Sequence, residues 1–491
     1  MNHLAVIKYL GVFSIAAATA FLPCAAWAIW FWEPDVLRAF LSSILVVLLC
    51  GGILLFWGRR ADRRLFNRDT LALVGVGWLL IAAYGGLPYL FSGTLSPVDA
   101  YFESMSGFTT TGATVLEDIE GTPKSLLFWR SFTHWLGGLG IILLLIIVLP
   151  FLGAGGKLLY RSEVPGLDKR SLRPRIKDSA LILFKIYAAL TLAMTALLMA
   201  AGMDLYGALC HTFGTLATGG FSTREASIAA FDSVLIEGII ILFMIIAGTS
   251  FGLLYCIAHR QWNTVFSNAE WRLYLVLLAL GSLLITVNLL GMLGAWSPDD
   301  YHADTLPGAL RMAVFQTVSI MTTTGYCTEN FDVWPFFSRA LLVMLMFVGG
   351  CSGSTGGGLK VARILVLFKL ARVHLERAFR PRHVQVVRVG DMVLDDAIQR
   401  AVLSYFVIHM LVLTFSTLVM AGLGMPLLSS FTAVAATLNN IGPGLELVGA
   451  VENYAFIPDL GKALLSLLMA MGRLELYAIC VLFFPAFWRR D

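Results

Sequence analysis

Four short polar segments recur along this chain at nearly even intervals, each lodged among apolar residues: FTTTGAT (108–114), LATGGFS (216–222), MTTTGY (321–326) and LNNIGPG (438–444). Their first glycines, Gly112, Gly219, Gly325 and Gly442, lie 107, 106 and 117 residues apart. An even period of this kind means that one structural unit is used four times. The fold must place four threonine-, asparagine- and glycine-rich loops in equivalent surroundings.

Composition says what those surroundings are. Of 491 residues, 58% are hydrophobic and only 13% charged, whereas soluble domains carry about 25% charged residues. Many apolar windows reach the ~20 residues that cross a bilayer as a helix. The chain therefore reads as an all-α polytopic membrane protein, with spans near 5–31, 37–57, 70–92, 125–153, 178–202, 233–258, 272–294, 337–370, 397–422 and 461–487. The first run is longer than the apolar core of a signal peptide and reads as a transmembrane helix. The seven cysteines are scattered, without a CxxC pair, which argues against a disulfide framework or a zinc site. No HExxH, GxSxG or Walker sequence occurs, and GSTGGGLK (353–360) lacks the order a phosphate loop needs. With no nucleophile–base or metal-ligand constellation, an enzyme is not expected.

The connecting segments divide by charge. Residues 58–68, 157–177, 259–272 and 369–388 and the terminal WRRD are rich in Arg and Lys; the alternating set carries Glu33 and Asp35, Glu117–Glu120, Glu225 and Asp232, Asp299–Asp304, Glu329 and Asp332, and Glu446–Asp459. The positive-inside rule places the first set and both termini in the cytoplasm.

Each polar segment follows a short apolar lead-in: 96–108, 204–216, 304–321 and 425–438. Helices of about a dozen residues span half a membrane, so these should be re-entrant. Ser96-Pro97 and the residues before Pro307 have the makings of helix starts. All four enter from the acidic side and point their electronegative C-terminal ends toward mid-membrane, which favours a cation. The Thr, Asn and Gly residues that follow offer carbonyls that can replace an ion's hydration shell. Irregular backbone at that depth must be buried in protein or line a water-filled path. Each polar segment therefore reads as one quarter of a pore.

This pattern resembles the Trk/Ktr/HKT superfamily of potassium transporters, and its two additional N-terminal spans resemble the bacterial Trk membrane subunit (TrkH type). The resemblance covers about 70–487 and implies four helix–pore-loop–helix repeats around a central pore: two extra helices in 1–69, then repeats at 70–177, 178–267, 268–395 and 396–491. It implies a potassium filter formed by Thr110, Thr111 and Gly112; Ala217, Thr218 and Gly219; Thr323, Thr324 and Gly325; and Asn440, Ile441 and Gly442. Glycine rather than serine at the first filter implies potassium over sodium. The fourth, Asn440-Ile441-Gly442-Pro443, departs from TTG. The resemblance further implies uptake of K+ across the bacterial inner membrane through a gated pore, with no organic cofactor. It also implies a homodimer and a cytosolic nucleotide-binding regulatory ring (TrkA type) docked on the basic runs 157–177 and 369–388. Those runs are equally explained by topology and lipid headgroup binding; nucleic acid is not an expected partner.

Within repeat three, GGCSGSTGGG (349–358) holds six glycines and propagates a helix poorly. By resemblance it is an intramembrane gating loop, with Gly349, Gly350, Ser352, Gly353, Ser354, Thr355 and Gly356 as gate residues; a kink without a gating role is the alternative. Glycines at 135–140, 247–252 and 471–475 suggest irregular backbone in the other closing helices as well. Arg473 lies inside an apolar span, where a charge is expensive unless paired or hydrated, and Glu475, two residues on, faces away. The resemblance puts this arginine below the filter, against the loop; a structural salt bridge is the alternative. Glu103 and His211 read as hydrogen-bonding groups behind the pore, and His134 also lies within a span. A secondary transporter coupling potassium to sodium or protons would fit discontinuous helices and intramembrane charges too.

Overall fold

The computed structural model describes residues 2–61, 66–148, 172–292, 301, 303–380, 386–390 and 392–489. The basic run 157–177 therefore lies outside the described residues up to 171, as do residues 299, 300 and 302 of the acidic run 299–304.

Among the described residues, six helices are long and apolar enough to cross a membrane, or seven if a bent pair is one span. The first run is broken once, into His3–Thr19 and Leu22–Trp30, and Pro34–Trp57 packs back on it. Then a three-part unit recurs. Its opening helices are Asn67–Phe91, Leu172–Ala200, Ala269–Leu289 and Asp396–Gly422; its short helices are Pro97–Phe108, Leu205–Leu216, Leu306–Met321 and Leu427–Leu438. Its closing helices begin with Lys124–Val148, Val234–Ala247, Phe336–Met346 and Asp459–Arg473.

Local chemistry sets where the short helices start. Ser96, Asp204 and Thr305 each accept a hydrogen bond from the backbone three residues on, and Pro97 and Pro307 occupy the first turn of their helices. A capping oxygen satisfies one of the amides that a helix start leaves open. The fourth short helix begins after Pro426 without a side-chain cap.

Each opening helix packs on its own short helix. Each closing helix packs on the short helix of its own unit and on that of the next, and the closing helix of unit four packs on the short helix of unit one. Among the described residues, eight helices thus close into a ring, short and closing helices alternating. Two contacts show how tight it is. A Cβ added to Gly137 would lie 2.0 Å from the carbonyl oxygen of Phe108, and one added to Gly472 would lie 2.1 Å from that of Leu438. Each glycine thus lets its closing helix press against the last turn of its own short helix.

Three closing helices are interrupted, two of them where the sequence carries glycine. The second bends by 104° between Val234–Ala247 and Phe251–Ala258; the third is split by residues 347–360; the fourth turns at Glu475 and Leu476, both with positive φ, before Tyr477–Cys480. The expected irregularity at 135–140 does not occur. Lys124–Val148 stays helical, because there Gly137 and Gly138 serve close packing, against Phe108 and Ala217. Among the described residues the one sheet is a two-stranded antiparallel hairpin pairing Arg388–Val389 with Met392–Val393. It is anchored by Val387 and Leu394, which pack with Val366, Leu370, Ile398 and Val402.

Replacing Gly137 or Gly472 with valine should destabilise the fold by about 1–3 kcal/mol, the usual range for overpacking. Gly238→Val is the control, since nothing lies within 4 Å of a Cβ there. Thermal unfolding in detergent should show a lowered midpoint for the first two variants and little change for the third.

Candidate functional site

The short helices end in a common backbone conformation. Thr110, Thr218, Thr323 and Asn440 have φ of 52°, 55°, 63° and 56°, in the left-handed region. For β-branched threonine this is a true outlier, costing on the order of 1–3 kcal/mol and persisting only where the surroundings enforce it. Two residues later each loop has a glycine of positive φ: Gly112 (82°), Gly220 (80°), Gly325 (80°) and Gly442 (100°).

The register of the second loop therefore differs from the one its sequence suggests. Gly220, not Gly219, is the counterpart of Gly112, Gly325 and Gly442. The equivalent triplet is Thr218-Gly219-Gly220, and Ala217 corresponds to Thr109, one position outside. The TGG sequence offers two glycines, and matching by spacing selects the first. The backbone selects the one two residues past the left-handed threonine.

These glycines fit against one another cyclically. A Cβ on Gly112 would meet the carbonyl oxygen of Gly219 at 2.2 Å; on Gly220, that of Thr324 at 2.0 Å; on Gly325, that of Ile441 at 1.9 Å; on Gly442, that of Thr111 at 2.8 Å. The carbonyls of Thr111, Gly219, Thr324 and Ile441 thus stand in equivalent positions around one closed ring. The four positive-φ glycines also line a single cavity of about 160 Å³ on the side of the acidic loops, with Glu117, Glu225 and Glu452 in its wall. Nearby on that side, burial raises the Asp332 carboxyl above its ordinary range. The amide of Glu446, which donates to it at 3.0 Å, opposes that shift.

Hydrogen bonds brace the loops from behind. Thr109 and Thr111 share one between hydroxyls at 2.8 Å, as do Thr322 and Thr324. Asn440 Nδ2 donates to Thr111 Oγ1 at 3.0 Å and to the carbonyl of Met469 at 2.9 Å, joining unit four to unit one. Glu103 accepts from Arg130 Nε at 2.6 Å, from Thr114 and from the amide of Val115. His211 contacts the carbonyl of Gly207 and Ser222 Oγ, at 2.7 and 3.0 Å. Both groups are hydrogen-bonded behind the loops, in the places their sequence positions suggest.

Segment 349–358 lies against the start of these loops, where the short helices end. The amide of Gly357 donates to Thr323 Oγ1 at 2.7 Å, and Thr355 Oγ1 donates to the carbonyl of Leu216 at 2.9 Å. A Cβ on Gly356 would lie 3.1 Å from the carbonyl oxygen of Thr322, and one on Gly357 2.5 Å from that of Asn439. Gly349 and Gly350 pack on Gly357 and Gly248, and the carbonyl of Gly353 accepts from the amide of Phe251. Ser352 and Ser354 are buried in the same segment. Arg473 is buried beside it, donating to the carbonyls of Thr355 at 2.6 Å and Gly137 at 3.2 Å. It has no carboxylate partner among the described residues. Glu475 pairs instead with Arg363, whose guanidinium lies over the Tyr405 ring.

Sequence reasoning missed Arg130, Glu270 and Arg363. Glu270 is buried at the start of its helix and accepts from the amides of Ser352 (2.6 Å) and Ala362 (3.1 Å), tying down both ends of the segment. Ionisable residues within apolar spans, as Arg130 and Arg363 are, or beside one, as Glu270 is, are the signal that would have found them.

Long apolar helices enclosing a ring of buried, uncharged polar backbone define a multi-pass membrane protein. Residues 37–490 match the family described as TrkH, cation transport protein, and the chain belongs to that family. It is 40% identical to the Trk system potassium uptake protein TrkH of Salmonella typhimurium over 92% of each chain. It is 33% identical to Trk system potassium uptake protein TrkG of Escherichia coli over 99% of each. The crystal structure of the potassium transporter TrkH from Vibrio parahaemolyticus matches over the full length of both chains, with a TM-score of 0.89 and 35% identity.

Gly220→Ala and Gly325→Ala should each cut cation flux at least several-fold, since both a strained φ and a backbone oxygen oppose the methyl group. Rubidium uptake per folded molecule in liposomes checks this, with Gly238→Ala expected to match the parent.

Proposed function

We propose that the protein takes up potassium across the bacterial inner membrane through a gated, channel-like pore. Its filter is formed by Thr110-Thr111-Gly112, Thr218-Gly219-Gly220, Thr323-Thr324-Gly325 and Asn440-Ile441-Gly442. The observation that carries this reading is the cyclic fit of each positive-φ glycine on the carbonyl of the next unit. Such a ring presents four oxygens to one axis, where the C-terminal ends of four short helices add negative potential. The acidic loops face outward on this reading and both termini are cytoplasmic. Repeats at 70–177, 178–267, 268–395 and 396–491 follow the extra helices of 1–69. The relatives' names add potassium as the cargo.

Segment 349–358 is the gate. It lies against the inner ends of filter strands two, three and four, and Arg473 holds it there while placing a positive charge on the exit path, which opposes a leaving cation. A cytosolic nucleotide-binding ring (TrkA type) and a second copy of this chain are the proposed partners. Ion-coupled transport is the second reading, favoured by the broken closing helices. The buried carboxylates argue for the channel, because Asp69, Glu103, Glu237, Glu270 and Glu475 all have hydrogen-bonded partners.

In liposomes, flux should rank potassium and rubidium above sodium and lithium, with a reversal potential that follows the potassium gradient alone. A reversal potential that moves with the sodium or proton gradient would establish coupling instead. Arg473→Ala should raise potassium flux per folded molecule with little change in selectivity, and Arg473→Lys should keep part of the block. Normal or reduced flux from well-folded Arg473→Ala protein would leave this arginine without a gating role.

A further inference from the structure

The second filter strand lacks the brace that the first and third possess. There, the residue before the filter glycine is a threonine, Thr111 or Thr324, whose hydroxyl is tied to that of Thr109 or Thr322 at 2.8 Å. In unit two the corresponding residues are Gly219 and Ala217, which have no hydroxyls to share. Yet the carbonyl of Gly219 belongs to the same ring and must be held as firmly.

The space that a side chain at 219 would occupy is taken by another unit. A Cβ on Gly219 would lie 2.3 Å from His134 Nδ1, 2.5 Å from its Cγ and 2.6 Å from its Cε1. Gly219 is not among the glycines of positive φ, so its backbone would accept a side chain; the three atoms nearest such a side chain all belong to the imidazole ring, which excludes it. His134 is fully buried on the closing helix of unit one. Among the described residues neither ring nitrogen has a hydrogen-bond partner, so no hydrogen bond among them explains its placement there. Its ring stacks on Phe221, centroids 4.1 Å apart and planes 13° apart. One turn away, Arg130 lies 3.6 Å from the centroid of the same Phe221 ring and donates to the carbonyl of Ser222 at 2.8 Å. The closing helix of unit one thus holds strand 219–222 through Gly219, Phe221 and Ser222.

We propose that His134 is a selectivity-determining positioning residue, standing in for the threonine side chain that braces the equivalent position in units one and three. The proposal rests on the filter reading above. His134 does not touch the ion. It fixes where the Gly219 carbonyl stands, and a void in its place lets that strand relax; a site loosened in this way loses discrimination between ions of different size.

The test is the potassium-to-sodium permeability ratio, taken from reversal potentials in liposomes. His134→Ala should lower the ratio several-fold, and Gly219→Thr alone should lower flux because the threonine collides with the ring. The combined H134A/G219T protein should recover a ratio closer to the parent than either single variant. If His134→Ala does not fold, the combined variant decides, and it should fold with a parent-like ratio because the void is refilled. A folded His134→Ala protein with the parent's ratio overturns the proposal, as does a combined variant that is misfolded or no better than Gly219→Thr. Gly220→Ala separates the two levels of the argument. If it degrades the ratio while His134→Ala does not, the brace alone fails; if neither changes it, the filter reading fails and the brace with it.

Discussion

Everything in this structure depends on a close approach of backbone to backbone. Four glycines with left-handed φ each abut a carbonyl of the neighbouring unit, and no larger residue fits without moving a main chain. The contact is repeated around a circle, so a displacement in one loop propagates to the next. This explains why strained threonines at 110, 218 and 323 are retained at the turns that lead into the ring. The packing of eight alternating helices holds the loops where their intrinsic preferences would not.

The ring need not have identical parts to be closed. Unit one uses a threonine hydroxyl pair, unit three the same, unit four an asparagine that reaches across to Thr111, and unit two a glycine against a histidine from unit one. A single chain can tune each quadrant separately, which a symmetric tetramer cannot. The interruption of three closing helices but not the first follows the same logic. Segments 248–250, 347–360 and 474–476 free backbone groups near the ends of the short helices, and Thr355, Arg473 and Glu270 satisfy some of them. The uninterrupted first closing helix carries Arg130, His134 and Gly137 on a rigid support.

Much of this was legible in the sequence. The recurring segments, the short lead-in helices, the starts of two of them at Ser96 and before Pro307, and the alternation of charge came from periodicity and composition, and each short helix ends where its lead-in ends. The family followed from those same residues. What could not be read was register and pairing. Two adjacent glycines at 219 and 220 are equivalent in composition, and only φ separates them. Arg130, Glu270 and Arg363 are defined by partners 27, 82 and 112 residues away, a separation no local pattern encodes. The irregularity expected at 135–140 was likewise wrong, since the same residue type serves a break at 248 and close packing at 137.

On the proposed function, four carbonyls, from Thr111, Gly219, Thr324 and Ile441, jointly face one bound cation. Anomalous diffraction from crystals grown with rubidium in place of potassium tests it most directly. A rubidium peak is expected on the axis encircled by those four oxygens, lost when rubidium is exchanged for sodium. Density for rubidium only in the outer acidic cavity, or none within the ring, would contradict it.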